Sequence, residues 1–336
     1  MKTIKQVAAA AGVSVATVSR YFNAPGQLSE STLQKVRRAV EELDYHPSAL
    51  GRNLRTNRTK KILVVLPTIS NPFYSQILTG MSDEAEKNGY TILACATGGD
   101  PDSEKRTLTM LYDQFVDGAV FFSTSLSRKR FDALASQYPV VQCCEYQEGS
   151  VAPAVSIDNE LAAYEAVSYL LSLGHTQVAM INSDNQFESS ILREKGYRRA
   201  LADKGILLRE ELIRRGTYGF RNGADSFGFF RSLKTPPTAV FTVADSIAVG
   251  VVRAALEQGL TVGKDLSVIG FDDTSLARVY TPGISSVAQP RRELGEETIR
   301  LLMERLSGRE TAGKLVFLPH HLVIRDSTGN VCPSTV

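Results

Sequence analysis

The chain has 336 residues, of which 43% are hydrophobic and 22% charged, the proportions of a folded protein with two or three domains. It contains no run of about 18 apolar residues, and its start, MKTIKQVAAAAGVS, lacks the long apolar core of a secretion signal, so we expect neither a membrane span nor secretion. Residues 1–61 contain eleven Lys/Arg and four Asp/Glu, a net charge of +7 that leaves −5 for the remainder of this +2 chain. A basic end on an acidic body is typical of a nucleic-acid-binding head attached to a regulatory domain, although a solvated basic face would give the same balance.

The four cysteines, Cys95, Cys143, Cys144 and Cys332, show neither CxxC spacing nor a nearby His partner. The adjacent Cys143 and Cys144 lie in an apolar run, which indicates buried thiols of a reducing compartment. We therefore expect no metal site and no cofactor.

The first 23 residues predict two short helices joined by a tight turn. Gly12 can adopt the positive φ that ends a helix, and Ser14 is a suitable N-cap for the next one. Helical spacing places these residues on the faces of the two helices: Ile4, Val7, Ala8 and Ala11, then Val15, Val18, Ser19 and Phe22. This is the pattern of a helix-turn-helix, whose second helix reads base edges in the major groove. The alternative is a helical hairpin that only packs, and the basic charge of the segment favours the first interpretation.

A third helix is predicted from Glu30 to Asp44, with Ser29 as its N-cap, and it completes a headpiece of about 45 residues. Pro47 ends that helix and can occupy the first turn of a short helix over Ser48–Arg55. One interpretation of this segment is a flexible basic linker. The other is a hinge helix that folds only on DNA and inserts an apolar side chain into the minor groove.

From Lys61 onward, short β-branched runs alternate with amphipathic helices. Strands are predicted at 62–67, 91–96, 119–123, 140–145, 155–158, 177–182, 212–216, 239–243 and 267–273, and helices at about 74–88, 102–115, 128–137, 160–173, 189–204, 222–232 and 246–258. A second unit starts near Asn159. The pattern indicates two doubly wound parallel sheets, with a cleft between them lined by loops at the carboxyl ends of the strands.

The carboxyl-end loops contain aromatic and polar residues suited to binding the hydroxyls and the flat face of a sugar or nucleoside. They include Ser70, Asn71, Phe73, Tyr74, Ser123, Thr124, Glu145, Arg193, Tyr218, Ala244, Asp272, Asp273 and Gln289. No GxSxG, Walker A, GxGxxG or HExxH motif is present, so we expect no enzyme. We interpret His175 as structural, and the adjacent His320 and His321 face opposite ways, which argues against a metal pair.

Nine segments together resemble the LacI/GalR family of bacterial transcriptional repressors and occur in that family's order over nearly the whole chain. They are VSVATVSRYFN, LDYHPSALGRNLR, ISNPFYSQILTGM, SIDN, LGHTQVAMI, REKGYRRAL, PPTAVFTVADSIAVG, DLSVIGFDD and SVAQPRRELG. Within the family, PFYSQI and the GRN of the hinge most resemble the cytidine-repressor and purine-repressor types.

The resemblance implies a small all-α helix-turn-helix headpiece plus an α/β two-lobed core similar to periplasmic binding proteins. The implied domains are a headpiece at 1–45, a hinge at 46–61, a core at 62–325 and a tail at 326–336. Within the core, we expect the first lobe at 62–158 and 291–314, and the second at 159–289 and 315–325.

The resemblance also implies roles for individual residues. Val15, Ala16 and Arg20 match base-reading positions, and Leu54 matches a leucine wedged into the operator centre. The full DNA-binding set is Thr3, Ser14, Val15, Ala16, Thr17, Ser19, Arg20, Asn23, Ser29, Tyr45, Leu54, Arg52 and Arg55. The effector-binding set is Phe73, Tyr74, Thr124, Glu145, Arg193, Tyr218, Ala244, Asp272 and Gln289. We interpret Asp245 as a helix cap rather than a contact residue.

Three features depart from the family pattern. Ser48 and Gly51 should weaken the hinge helix. The small Val15 and Ala16 must read bases through thymine methyls and close approach. The tail after Arg325 has no leucine heptads, so we expect a dimer without a tetramerising coiled coil.

The sequence thus predicts a cytoplasmic repressor that binds a palindromic double-stranded DNA operator as a homodimer and is controlled by a small effector. We expect a sugar or sugar derivative, with a nucleoside or purine as the alternative, and inducer or corepressor logic stays open. A solute-binding receptor would need a signal peptide and no helix-turn-helix. A sugar- or nucleoside-processing enzyme would have to use Glu145 and Asp272 as its acid/base pair.

Overall fold

The computed structural model describes residues 2–46, 58–185 and 187–331. The predicted hinge helix, which includes Arg52, Leu54 and Arg55, lies outside the described residues, and so does Cys332. The chain divides into two units, Met1–Thr59 and Lys60–Val336. Among the described residues, no helix is long and apolar enough to cross a membrane.

In the described residues of the first unit, three α-helices pack around a small apolar core. Helix α1 (Ile4–Ala11) ends at Gly12, which has a φ of +63°, and α2 (Val15–Asn23) begins after Ser14, whose hydroxyl accepts a 3.1 Å hydrogen bond from the Thr17 amide. Helix α3 (Glu30–Glu42) begins after its N-cap Ser29. The buried side chains are Val7, Ala8, Ala11, Val18, Val36, Ala39 and Tyr45. The predicted helix-turn-helix is confirmed.

The first lobe of the larger unit is a six-stranded parallel sheet in the order β11-β5-β4-β3-β1-β2. Its strands are β1 (Lys61–Leu66), β2 (Thr91–Ala96), β3 (Gly118–Phe121), β4 (Val140–Cys143), β5 (Ala154–Ser156) and β11 (Leu315–Phe317), and its helices are α4 (Phe73–Lys87), α5 (Pro101–Tyr112), α6 (Arg128–Gln137) and α12 (Arg291–Leu306). We expected the chain from residue 315 in the second lobe. Leu315–Phe317 instead pairs in parallel with β5, so the first lobe gains this edge strand.

The second lobe is a six-stranded sheet in the order β12-β10-β9-β8-β6-β7. Its strands are β6 (Val178–Ser183), β7 (Ile213–Gly216), β8 (Ala239–Thr242), β9 (Ser267–Asp272), β10 (Ser285–Ala288) and β12 (His321–Val323), and its helices are α7 (Asn159–Ser172), α8 (Glu188–Asp203), α9 (Phe220–Arg231), α10 (Asp245–Glu257) and α11 (Ser275–Val279). Strand β12 is antiparallel to β10, the exception to the all-parallel expectation. The two doubly wound sheets are otherwise confirmed.

Strand β1 is buried, as its continuous apolar run predicts. Residues Ile62–Leu66 of β1 are at most 1% exposed because helices cover both faces of the parallel sheet. Helices α4 and α12 pack with their backbones close together, since a Cβ at Gly295 would lie 2.1 Å from the carbonyl oxygen of Ile77. The packed helices hold the strands so that their carboxyl ends face the second lobe.

His175 is buried at the amino-terminal edge of the second sheet. Its Nδ1 lies 2.9 Å from the Thr238 hydroxyl, and its Nε2 lies 2.9 Å from the Ser267 hydroxyl and 3.0 Å from the carbonyl oxygen of Gly329. Burial lowers the pKa of His175. The side chain thus joins three segments, in keeping with the structural role that we predicted.

Candidate functional site

A cavity of about 480 Å³ lies between the carboxyl ends of the two sheets. The first lobe contributes the loop after β1, the start of α4 and Glu145 after β4. The second lobe contributes the start of α8, the loop after β7, and residues that follow β8 and β9. The residues that line the cavity are Pro67, Thr68, Ser70, Asn71, Pro72, Phe73, Tyr74, Glu145, Phe187, Ser189, Arg193, Tyr218, Gly219, Phe220, Ser246, Asp272 and Leu276. A cavity of this size and position can enclose a small organic molecule.

Glu145 connects the two lobes. One of its carboxylate oxygens accepts a 3.0 Å hydrogen bond from the amide of Ser189 in the first turn of α8, and the other accepts from the Ser189 hydroxyl. Burial raises the pKa of the Glu145 carboxyl, although the bonds from Ser189 and the charge of Arg193 act in the opposite direction. Because Glu145 also lines the cavity, a ligand that changes this carboxylate's contacts changes a direct bond between the lobes.

Arg193 is fixed in the cavity wall by contacts on three sides. Its Nε donates to Asn159 Oδ1 at 2.9 Å, and its Nη1 donates to the Val243 carbonyl oxygen at 2.7 Å. The guanidinium carbon lies 3.6 Å from the centroid of the Phe271 ring. A charged group held so rigidly loses little conformational entropy when it binds a ligand oxygen.

Asp272 presents a carboxylate to the cavity from the end of β9. Its Oδ1 accepts a 2.8 Å hydrogen bond from Gln289 Nε2. Burial raises the pKa of the Asp272 carboxyl, opposed by Arg193 and by the bond from Gln289. The cavity therefore contains an acceptor from each lobe and one fixed cation.

Aromatic rings line the cavity from both lobes. Tyr74 packs edge-on against Phe73 and Phe122, with ring centroids 5.3 Å and 4.9 Å away. Burial raises the pKa of the Tyr74 phenol well above its usual value, so the group stays neutral and can donate a hydrogen bond. Tyr218 and Phe220 of the second lobe are 39% and 51% exposed, which leaves ring surface for a flat ligand to cover.

The structure brings six of the nine predicted effector-binding residues into this cavity: Phe73, Tyr74, Glu145, Arg193, Tyr218 and Asp272. Thr124 does not line it. Thr124 lies in a neighbouring cavity of about 90 Å³ that shares Glu145 and Phe187 with the larger one, and its hydroxyl donates to Glu104. Ala244 is 3% exposed, and Gln289 supports Asp272 from outside the lining.

Nine of the residues that line the cavity were not predicted. Four of them are Phe187, Ser189, Phe220 and Ser246. Each lies at or next to the start of a helix that follows a strand of the second lobe. The predicted helices began at 189, 222 and 246, so Ser189 and Ser246 were assigned to helices. Phe187 and Phe220 fell in the predicted loops but were not selected as contact residues.

The predicted cap role of Asp245 is not what the structure shows. Ala244 is the N-cap of α10 and makes no side-chain cap bond, while the Asp245 carboxylate accepts hydrogen bonds from Thr274 and Ser286. The segment after β9 and strand β10 both approach this carboxylate, and only the tertiary fold brings them there.

On the headpiece, α2 exposes the residues predicted to read bases. Val15 is 42% exposed, and Ala16 and Arg20 are also exposed. Tyr45, which we placed among the DNA-binding side chains, is 9% exposed and packs in the headpiece core, with its ring centroid 6.0 Å from that of Phe22. Thr3, Ser14 and Ser29 occupy the N-cap positions of the three helices.

Comparison with known proteins gives matches along nearly the whole chain. A model of bacterial regulatory proteins of the lacI family matches residues 3–48, and one of periplasmic binding protein-like domains matches residues 167–328. Over 330 residues, the chain is 36% identical to the HTH-type transcriptional regulator DegA of Bacillus subtilis, covering 97% of this chain and 98% of DegA. It is 35% identical over 330 residues to the HTH-type transcriptional repressor CytR of Escherichia coli, covering 97% and 96% of the two chains.

Solved structures agree with these relatives. The lac repressor dimer bound to operator and the anti-inducer ONPF is 26% identical, with a TM-score of 0.87, and covers 98% of this chain and 99% of that one. A complex of the transcriptional regulator CelR with cellobiose is 28% identical, with a TM-score of 0.73, and covers 97% of this chain and 100% of that one.

Proposed function

The chain belongs to the LacI family of DNA-binding transcriptional regulators, and from that premise we propose that it is a repressor whose operator affinity is set by a small effector bound between the lobes of its core. The dimer binds a palindromic operator through its headpieces, residues 1–45, and its hinges, residues 46–61. The core, residues 62–325, binds the effector. The observation that carries this proposal is the cavity of about 480 Å³, which both lobes line and across which the Ser189 amide donates to the Glu145 carboxylate.

DNA binding by the headpiece is supported by exposure and charge. Helix α2 presents Val15, Ala16 and Arg20 to solvent, and residues 1–61 carry a net charge of +7. In the related lac repressor structure, a dimer is bound to operator. The proposed reading mode is apolar contact of Val15 and Ala16 with thymine methyls and hydrogen bonding by Arg20, since neither small side chain can hydrogen-bond a base.

The proposed effector is a sugar or sugar derivative. Glu145 and Asp272 can accept hydrogen bonds from hydroxyl groups, and Arg193 can donate to ring or hydroxyl oxygens. The aromatic rings of Phe73, Tyr74 and Tyr218 can cover the apolar face of a sugar ring. The related CelR was solved in a complex with cellobiose, which supports a sugar as the effector.

A nucleoside or purine is the second candidate, and the exposed ring surface of Tyr218 and Phe220 favours it. A planar base stacks on such surfaces more fully than a puckered sugar does. Neutral Tyr74 can donate to a base nitrogen.

Effector binding tests the proposal directly. The full chain is screened by thermal shift against sugars, sugar phosphates, nucleosides and nucleobases, because a ligand that binds only the folded state raises its apparent stability. Each ligand that shifts the melting temperature is then added to an operator titration. A ligand that changes operator affinity identifies the effector, and the direction of the change separates inducer from corepressor. Ligands that bind without any effect on operator affinity would contradict the proposed control.

Enzymatic turnover is not part of the proposal. The relatives are transcriptional regulators rather than enzymes. Glu145 accepts hydrogen bonds from Ser189, and Asp272 accepts one from Gln289. Chemical conversion of any ligand that binds would refute this assignment.

A further inference from the structure

Asp245 is a buried carboxylate beside the interlobe cavity that does not line it. Only 1% of the residue is exposed, and its neighbour Ser246 rather than Asp245 lies in the cavity wall. Asp245 is the first residue of α10. A buried carboxylate in this position needs donors from elsewhere in the fold, and the identity of those donors indicates what it does.

The donors come from the segment that immediately follows Asp272 and from strand β10. Asp245 Oδ2 accepts from the Thr274 amide at 2.6 Å and from the Thr274 hydroxyl at 2.9 Å, and its Oδ1 accepts from the Ser286 hydroxyl at 2.6 Å. The Ser286 oxygen in turn accepts a 3.0 Å bond from the Asp273 amide. Asp245 thus holds the two residues after Asp272, one directly and one through Ser286.

These bonds, together with the pairing of Arg278 and Arg325 with the Asp273 carboxylate, hold the backbone in an unusual conformation. Asp272 has a φ of +100° and Asp273 a φ of +47°, a region that residues with side chains rarely adopt. Such conformations persist only where surrounding contacts determine them. The turn directs the Asp272 carboxylate to the cavity, where Gln289 donates to it.

Strand β9 leaves room for the Asp245 carboxylate. A Cβ at Gly270 would lie 2.5 Å from Asp245 Oδ1, too close for any side chain to fit beside the carboxylate. Gly270 has no need of glycine for its own backbone angle, since it is not among the residues with positive φ. The space occupied by the carboxylate is therefore a separate observation from its hydrogen bonds.

We propose that Asp245 is a positioning residue of the effector site: through Thr274 and Ser286 it fixes the turn that presents the Asp272 carboxylate to the cavity. The name "effector site" rests on the proposed function, whereas the hydrogen-bonded turn does not. Asp245 itself does not touch the ligand. Its loss misplaces Asp272 without removing a contact group.

The test is amide hydrogen exchange of the full chain, resolved at single amides, in wild type and in Asp245→Ala. Exchange at Asp273 and Thr274 should accelerate on the order of tenfold or more, because the bonds that protect these two amides are lost or loosened. Amides within β9 and β10 should keep their protection. A crystal structure of the variant should show the Asp272–Gln289 bond broken.

Ser267→Ala is the matched control, since it removes a buried hydroxyl at the opposite end of β9, where it contacts His175 and Gly329. It should leave Asp273 and Thr274 protected. Equal acceleration across the whole second lobe in Asp245→Ala, or unchanged protection at Asp273 and Thr274, would overturn the proposal.

Two further variants decide the matter if Asp245→Ala does not fold. Asp245→Asn should preserve protection, because its Oδ1 can accept both Thr274 bonds while its amide donates to Ser286. Gly270→Ala should reproduce the loss of protection by displacing the carboxylate. Where Asp245→Ala does fold, adding Gly270→Ala to it should cause no further loss of protection, because the methyl group then has space. Loss of protection in Asp245→Asn together with full protection in Gly270→Ala refutes the positioning role. Operator binding, measured in parallel, tests the proposed function separately, since the exchange result does not depend on it.

Discussion

Replacing Arg193 with alanine removes the cation that is fixed in the wall of the interlobe cavity. The side chain is 6% exposed and donates to Asn159 Oδ1 at 2.9 Å and to the Val243 carbonyl oxygen at 2.7 Å. It also stacks 3.6 Å from the centroid of the Phe271 ring. The variant therefore loses two hydrogen bonds and a buried cation–π contact together.

The expected cost follows from those contacts. Each buried acceptor left without a donor costs about 1–3 kcal/mol, and a desolvated cation–π contact contributes about 2 kcal/mol. Water can enter from the adjoining cavity and hydrate the exposed acceptors, which places the total near the lower end of the range. We expect the free energy of unfolding to fall by about 4 kcal/mol. Loss of the positive charge also raises the pKa of the Glu145 and Asp272 carboxyls, since Arg193 acts to lower both.

The assay is urea unfolding of the full chain followed by far-ultraviolet circular dichroism, because the chain has no Trp. Arg199→Ala is the matched control on the same helix. Arg199 is 41% exposed and pairs with Glu160 at the surface, so its loss should cost less than about 1 kcal/mol. Equal costs for the two variants would refute the reasoning. If enough Arg193→Ala remains folded, it should bind operator like wild type but no longer respond to the effector that the screen identifies.

Other predictions concern packing, pH, salt and the hinge. Gly295→Ala should lower the free energy of unfolding by about 1–3 kcal/mol, because its Cβ would lie 2.1 Å from a backbone oxygen of α4; an unchanged denaturation midpoint would contradict the close helix packing. Burial raises the pKa of Asp245 to about 7, so its ionisation weakens the fold as pH rises from about 4 through 7. Asp245→Asn should therefore gain stability relative to wild type over that interval, and a pH-independent difference would argue against the shift. Operator affinity should fall steeply with salt because of the +7 head; filter binding at several salt concentrations measures the slope, and a flat slope counts against phosphate-dominated docking. Leu54→Ala, in the predicted hinge, should abolish tight operator binding with the core still folded, and retained affinity would remove the hinge assignment.

Local features of the sequence determined the helix-turn-helix. Ser14 and Ser29 are N-caps in the structure, and Gly12 has the positive φ that ends α1. Caps and apolar periodicity act within a few residues, so they can be recognised without knowledge of the fold. The alternation of buried strands and helices predicted the two doubly wound sheets for the same reason, and it indicated which loops would meet at the cavity.

Tertiary structure decided what depends on contacts distant in sequence. Leu315–Phe317 joins the first sheet because β5 offers it an edge, more than 150 residues earlier in the chain. Tyr45 is buried because Phe22 and the headpiece core lie against it. The sequence predicts that Asp245 caps a helix, yet in the structure its carboxylate accepts hydrogen bonds from Thr274 and Ser286. A side chain's type restricts its possible partners, but the partners it meets are set by how strands and helices pack, and that packing depends on the whole chain.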